Sequence, residues 1–358
     1  MTASSQHTDV IDVRAGESFD EDRLAEFLKG RLEGSDLPLH VRQFGGGHAN
    51  LTYLLEYGEG EPRFEYVLRR PPLGPVAKSS HDMNREYRAL SKLWRFFEPA
   101  PRAFLFSDDH SLLGADFFVM ERRHGIVVRR KVPPELGSGE DPEVNRKLSE
   151  VLIDALADFH AVDPVESELA SLGKAEGFLS RQVHGWSDRY EGSKTRAVPV
   201  AEELSRWLVD NMPASQPATL LHNDWKLDNV AVYESDPGRC AAVFDWDMCT
   251  VGDPLCDVGT LMCSWIDRDE GPADSLLVMP SQTEGFMTRA EALARYAERA
   301  GRDIEQMPYY VVFGTFKMAV VLQQIYYRYA KGQTEDARFA SMEDAATGLF
   351  KRAAHLRP

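Results

Sequence analysis

Residues 220–230 read LLHNDWKLDNV, and after a further apolar run residues 241–249 read AAVFDWDMC. Each apolar segment ends in a cluster of acids and amides: His222, Asp224, Asp228 and Asn229 in the first, Asp245 and Asp247 in the second. Carboxylates beside a core segment are costly unless they are paired or bind a cation. Asn229 follows Asp224 by five positions, and Asp245 comes sixteen positions after Asn229, beyond the hairpin-like stretch VAVYESDPGRCAAV. This is the spacing of a phosphoryl-transfer loop, in which one Asp orients or deprotonates a hydroxyl while an Asn and a second Asp hold magnesium. Magnesium takes one or two oxygen ligands from a protein alongside phosphates and water, and Asn229 with Asp245 can supply such a set. Turn formation or helix capping accounts for Asp253 in GDP and for Asp257, but not for two clusters that directly follow apolar segments.

The elements that must position these groups differ between the two parts of the chain. EDRLAEFLKGRL places Leu24, Phe27, Leu28 and Leu32 at helical spacing. VRQF, LTYLLEY and FEYVLRRPP then alternate strand-like runs with the glycine-rich turns GGGHAN and GEGEP, which reads as antiparallel strands. HDMNREYRALSKLWRFF returns to a helical period, and RAFLFSDD and DFFVMERR are two more strands. From HGIVVRR onward the chain turns helical, with a periodic helix from about Glu143 to His160, interrupted only by the strand signals around the two acidic clusters. The expectation is an α+β chain with residues 1–122 as a small antiparallel-sheet lobe and residues 123–358 as a mainly helical lobe.

Composition sets limits on function. At 358 residues the chain is long for one core, which agrees with two lobes. A formal charge of −16 without a Lys/Arg-rich block repels nucleic acid and anionic membrane. Cys240, Cys249, Cys256 and Cys263 contain no CxxC pair and read as buried reduced thiols. The start lacks a basic end followed by an apolar core, and YYVVFGTFKMAVVLQQIYY is broken by Lys317, so a cytoplasmic protein is expected. His160, in an apolar helical pattern, reads as a core histidine, and Tyr326, Tyr327 and Tyr329 read as packing residues.

HNDWKLDN and DWDMCTVGDPLCD, with GGGHANLTYLLEY, YVLRRPPLG, NREYRAL, FFVMERRHG and LADFHAVDP, resemble the aminoglycoside phosphotransferase-like kinases. The likeness is closest to the branch that includes the kinase-like domain attached to some acyl-CoA dehydrogenases. It implies a protein-kinase-like two-lobed fold and a small-molecule kinase that uses ATP and Mg2+, with nucleotide between the lobes and a small-molecule hydroxyl as acceptor. By motif position, Asp224 would be the catalytic base, Asn229 and Asp245 the magnesium ligands, His222 an organiser of the loop and Asp257 a buried structural acid. Gly46 and Gly47 would cover phosphates, and Met120, Glu121 and Arg122 would meet the adenine. Arg69 stands where most kinases carry a lysine that grips phosphates, with Glu86 as its expected partner; an arginine is also what the nearest branch shows.

Asn223 replaces the usual glycine, and Asn tolerates unusual backbone angles better than most residues. Two rivals stand beside the kinase reading: a nucleotide-binding pseudokinase scaffold, favoured by the Arg69 and Asn223 departures, and a metal-dependent hydrolase built from His222, Asp224, Asp228, Asp245 and Asp247. The acceptor is left open among aminoglycosides, other amino-alcohols and hydroxylated acyl thioesters, as are the choice of ATP or GTP and the oligomeric state.

Overall fold

The computed structural model describes residues 10–45, 50–58, 60, 63–72, 82–270, 279–334 and 336–358. Val10–Ile11 (β1), Leu39–Phe44 (β2), Leu51–Tyr57 (β3), Phe64–Arg70 (β4), Ala103–Ser107 (β5) and Phe117–Glu121 (β6) form one sheet in the order β1-β2-β3-β4-β6-β5. Every neighbouring pair is antiparallel. The central β3 is buried along nearly its whole length, which is why LTYLLEY, apolar except for Thr52 and Glu56, does not alternate. β1 has only two residues, too few to show any period.

Helix Glu21–Leu28 (α1) begins at Asp20, whose side chain accepts from the Arg23 N–H, and buries Leu24 and Leu28. It stops short of the expected Leu32 because the chain turns at Lys29, with ψ 126°, and Gly30, with φ +69°. Helix Met83–Leu93 (α2) buries Met83, Glu86, Leu90 and Leu93, a helical stripe with one carboxylate set into it. These elements, with the short helix His110–Leu113 (α3), lie in a compact unit of residues 1–124.

Residues 125–358 form a second unit, mainly helical. Its helices are Pro142–His160 (α4), Phe178–Ser193 (α5), Pro199–Asp210 (α6), Leu255–Ser264 (α7), Arg289–Ala300 (α8), Met307–Ala330 (α9) and Met342–His355 (α10). Among the described residues five short strands accompany them: Ile126–Val127 (β7), Thr219–Leu221 (β8), Val230–Tyr233 (β9), Asp236–Val243 (β10) and Thr250–Gly252 (β11). They pair as β10-β9-β7 and β11-β8. The architecture is α+β, as the sequence pattern implies. Among the described residues no helix is long and apolar enough to cross a membrane.

The contact of α7 with α9 is made backbone to backbone. A methyl group on Gly259 would run into the Tyr310 carbonyl, and one on Gly314 into the Gly259 carbonyl. No side chain can be inserted there without separating the helices. Gly259→Ala should therefore destabilise the protein by about 1–3 kcal/mol, the range for overpacking a close-packed core. Urea denaturation of the variant against the parent checks this, and an unchanged midpoint would mean that the helices can part at no cost.

Candidate active site

Strand pairing brings the two acidic clusters to one place. In the β8–β11 ladder Leu221 faces Thr250 and Thr219 faces Gly252, so the segment leaving β8 and the segment entering β11 start from the same end. In the β9–β10 ladder Val230 faces Val243, which joins the far ends of the same two segments. Residues 222–229 and 244–249 are thus loops between two strand pairs, and the Phe244 N–H donates to the Asn229 carbonyl at 2.8 Å.

The first loop hangs on Asp257, a carboxylate only 1% exposed near the start of α7. Its Oδ2 accepts the His222 N–H at 2.7 Å and its Oδ1 the Asn223 N–H at 2.8 Å. His160 Nε2 lies 3.4 Å from the same carboxylate, while His160 Nδ1 lies 2.8 Å from the Tyr296 hydroxyl. Burial pushes the Asp257 carboxyl up, but the contact with His160 and the hydrogen bond from the His222 backbone N–H outweigh it, and its pKa falls below the ordinary value. Burial lowers the pKa of His160 despite the neighbouring Asp257. His160 is therefore a satisfied core histidine.

His222 supplies the next fixed point. Its Nε2 lies 2.9 Å from the Phe244 carbonyl, which can only accept, so Nε2 carries the proton and donates. Its Nδ1 accepts the Asp224 N–H at 3.3 Å. The neutral ring links the two loops, packed edge-on against Trp225 and Trp246. Both nitrogens are engaged, so His222 does not fit the metal-ligand role that the hydrolase reading needs.

Asp224, Lys226 and Asn229 sit within this frame. Asn229 Nδ2 donates to the Asp224 carbonyl at 2.8 Å and to Asp224 Oδ2 at 3.0 Å. Lys226 Nζ donates to the two Asp224 carboxylate oxygens at 3.0 and 2.8 Å. Burial disfavours the Lys226 ammonium, but Asp224, Asp228 and Asp245 outweigh it and raise its pKa. Asn223 and Asp245 both adopt a φ of +67°, a left-handed conformation that Asn and Asp tolerate better than other side chains. The Asn223 side chain adds a bond from Nδ2 to the Met248 carbonyl at 3.0 Å.

This set suits a hard cation that keeps most of its shell for other ligands. Asn229 spends its amide nitrogen on Asp224, so Oδ1 is the atom it can offer a metal. Among the described residues no three His, Cys, Asp or Glu are grouped to hold a metal by themselves. Magnesium, bound through one or two protein oxygens and phosphate, needs no such group.

In the first unit Arg69 of β4 is ion-paired with Glu86 of α2, and both side chains are buried. The adjacent Arg70 has a separate, structural role: it donates to the Tyr53 hydroxyl and to the Leu113 and Glu17 carbonyls. Met120 and Glu121 end β6, and the Arg122 guanidinium lies 4.8 Å from the Phe44 ring centroid. Gly46 and Gly47 lie outside the described residues.

Two cations at the loop go beyond the sequence assignment. Lys226 stands two positions after Asp224, a spacing that places it in the loop without showing that it turns onto the carboxylate. Lys317 is a single cation within the apolar stretch of α9, and its Nζ donates to the Asn223 carbonyl at 3.1 Å.

Residues 40–307 match the Phosphotransferase enzyme family. Acyl-CoA dehydrogenase family member 10 of Mus musculus is 30% identical over 328 residues, which is 91% of this chain but 30% of that protein's length. A Ralstonia eutropha structure, provisionally described as an aminoglycoside phosphotransferase, superposes with a TM-score of 0.80 at 26% identity, covering 95% of this chain and 98% of the other. Choline kinase from Cryptosporidium parvum gives a TM-score of 0.63 at 11% identity, covering 94% of this chain and 96% of the other, a likeness of fold alone. The fold is that of the kinase-like phosphotransferases.

Asn223→Gly should leave stability within about 1 kcal/mol of the parent, because relief of the left-handed angle offsets loss of the Met248 bond. Asn223→Ala keeps the strained angle and loses that bond, so it should cost about 1–3 kcal/mol. Equal stability of the two variants, measured by denaturant melts, would show that the angle carries no strain.

The His160 environment also predicts a pH dependence. Its folded pKa is lowered, so the unfolded chain binds the proton first, and stability present above about pH 6.5 is lost as pH falls, at up to about 1.4 kcal/mol per unit. Asp257, also lowered, adds a second loss below about pH 4. His160→Gln should flatten the upper window and, because His160 is a main cause of the lowered Asp257 pKa, also weaken the lower one, read from urea midpoints between pH 7.5 and 3.

Proposed function

The chain belongs to the phosphotransferase enzyme family, and on that footing we propose that it is a small-molecule kinase that transfers the γ-phosphoryl group of ATP to an alcohol with the help of magnesium. The observation that carries this reading is the Asp224 carboxylate, held by Asn229 Nδ2 and Lys226 Nζ in a loop joined to that of Asp245. In the reaction the hydroxyl oxygen attacks the γ-phosphorus, the bond to the ADP oxygen breaks, and Asp224 takes the hydroxyl proton. Asn229 keeps the carboxylate turned toward the acceptor, and Lys226 offsets the charge of the loop. Magnesium, held by Asn229 Oδ1 and Asp245, would supply charge neutralisation on the phosphate oxygens. Arg69, braced by Glu86, would grip the α- and β-phosphates, Gly46 and Gly47 would cover them, and the backbone from Met120 to Arg122 would receive the adenine.

A cavity of about 660 Å³ in the second unit bears on the acceptor, with Arg130 and Lys131 beside Val132, Pro133, Met279 and Pro280. Arg130 also acts electrostatically on Asp228 of the catalytic loop. Two cations in a lining that mixes these apolar residues with Ser138, Gln282 and Thr283 suit an anionic, partly apolar alcohol, such as a hydroxylated acyl thioester, better than a polycationic aminoglycoside. The net charge of −16 argues against nucleic acid and anionic membrane as partners.

Asp224→Asn should keep Mg–ATP affinity within a few-fold while phosphoryl transfer falls by about 10²–10⁴-fold. Calorimetric titration and single-turnover transfer on the same preparation check this. Transfer at the parent rate would exclude Asp224 as the base, and a parent protein that binds Mg–ATP without turnover on any alcohol would favour a scaffold. Asp245→Ala should abolish the magnesium-dependent part of ATP binding.

A further inference from the structure

The peptide group that joins Asn223 to Asp224 is held from both sides. Its N–H donates to His222 Nδ1 at 3.3 Å, and its carbonyl accepts from Lys317 Nζ at 3.1 Å. Lys317 comes from the interior of α9 and is 7% exposed, its ammonium 5.8 Å from the centroid of the Trp186 ring. A cation buried in an apolar helix is costly and needs compensation. The charged and titratable groups that act on it are Asp257 and Cys256 of α7, Asp224 of the loop and Arg189 of α5. Simple neutralisation of Asp257 would not require the ammonium to bond the one carbonyl that precedes Asp224.

We propose that Lys317 is a positioning residue for phosphoryl transfer: by fixing the 223–224 peptide plane opposite His222, it sets the direction in which the Asp224 carboxylate leaves the backbone. This rests on the assignment of Asp224 as the base. With two hydrogen bonds on opposite edges, the plane cannot rotate without breaking one of them. Rotation of that plane would swing the carboxylate, and a displacement of about 1 Å at a reacting group can cost on the order of 10²-fold in rate. Asn223 contributes the left-handed turn that aims its carbonyl at α9, with its own N–H on Asp257 and its side chain on Met248.

The test uses slow hydrolysis of Mg–ATP by the full chain, with water as acceptor, so that no alcohol has to be known. Water attacks the γ-phosphorus, ADP leaves, and the proton passes to Asp224. Lys317→Met, similar in length but without a donor, should lower kcat by about 10–10²-fold with KM for Mg–ATP within about threefold. Amide hydrogen exchange across residues 220–230 of the nucleotide-free protein should rise about tenfold, since one edge of the peptide plane is released. Lys317→Arg, which keeps a cationic donor, should recover most of the rate and the protection. Because Lys317 acts through Asp224, Lys317→Met should cause no further loss in the Asp224→Asn background.

If Asp224→Asn hydrolyses ATP like the parent, the base assignment fails and the proposal goes with it. If Asp224→Asn is impaired but Lys317→Met keeps kcat within about twofold, the positioning proposal alone is overturned. An equal loss from Lys317→Met in both backgrounds also overturns it, since the residue then acts independently of Asp224. Should Lys317→Met fail to fold, Lys317→Gln, whose donor is too short to reach, is judged by the same criteria.

Discussion

The candidate site depends on one buried carboxylate that accepts two successive backbone N–H groups. Asp257 takes the amides of His222 and Asn223, and this pair of bonds stops the chain as it leaves β8 and turns it into the loop. A carboxylate so placed is expensive to bury and strongly oriented once buried. His160 reduces that cost from one side, itself joined to Tyr296. Asp257 owes its position to α7, and α7 can approach α9 only because Gly259 and Gly314 have no side chains. The line from a glycine crossing to the orientation of Asp224 is thus a sequence of contacts, each with a physical reason.

Around that anchor the loop combines rigidity with compensated charge. The neutral His222 ring ties the two acidic segments together without adding a charge. Lys226 offsets Asp224, and Asn229 holds its carboxylate from another direction. Asn223 and Asp245 sit at the same left-handed φ, one in each segment. Such angles persist only where surrounding bonds over-determine them, and the bonds around Asn223 supply that condition. In the first unit Arg69 and Glu86 form a buried pair, while Arg70 spends its donors on a hydroxyl and two carbonyls. Two adjacent arginines on one strand point to opposite faces, so only one of them can serve a given face.

Much of this arrangement is legible in the sequence, for reasons tied to short range. Apolar runs that end in HNDWKLDN and DWD announce two strand-to-loop transitions, and hydrophobic periodicity locates α2 and α4. The replacement of glycine by Asn223 marks a left-handed position, which the φ of +67° bears out. What escapes the sequence is contact at a distance. Nothing near His160 indicates Tyr296, 136 positions away, and nothing near Asn223 indicates Lys317. The lysine itself is conspicuous in an apolar helix, but its target is a backbone carbonyl, and a carbonyl has no sequence signature. The end of α1 before Leu32 is missed for a different reason: the apolar spacing runs past Gly30, and a local turn over Lys29 and Gly30 overrides it.

The separations along the chain also order events in time. The bond between His222 and Asp257 spans 35 positions, whereas that between Lys317 and Asn223 spans 94. During synthesis from the N-terminus, all the acidic groups and their carboxylate anchor leave the ribosome before α9 exists. A nascent chain therefore holds the two acidic loops and the strands that pair them while one edge of the critical peptide is still open. In refolding of the whole chain, closing the longer loop costs only about 0.9 kcal/mol more entropy than closing the shorter one, so this order is a feature of synthesis and not of loop length. The bond from Lys317 of α9 to the Asn223 carbonyl is therefore the last contact of this loop to become available.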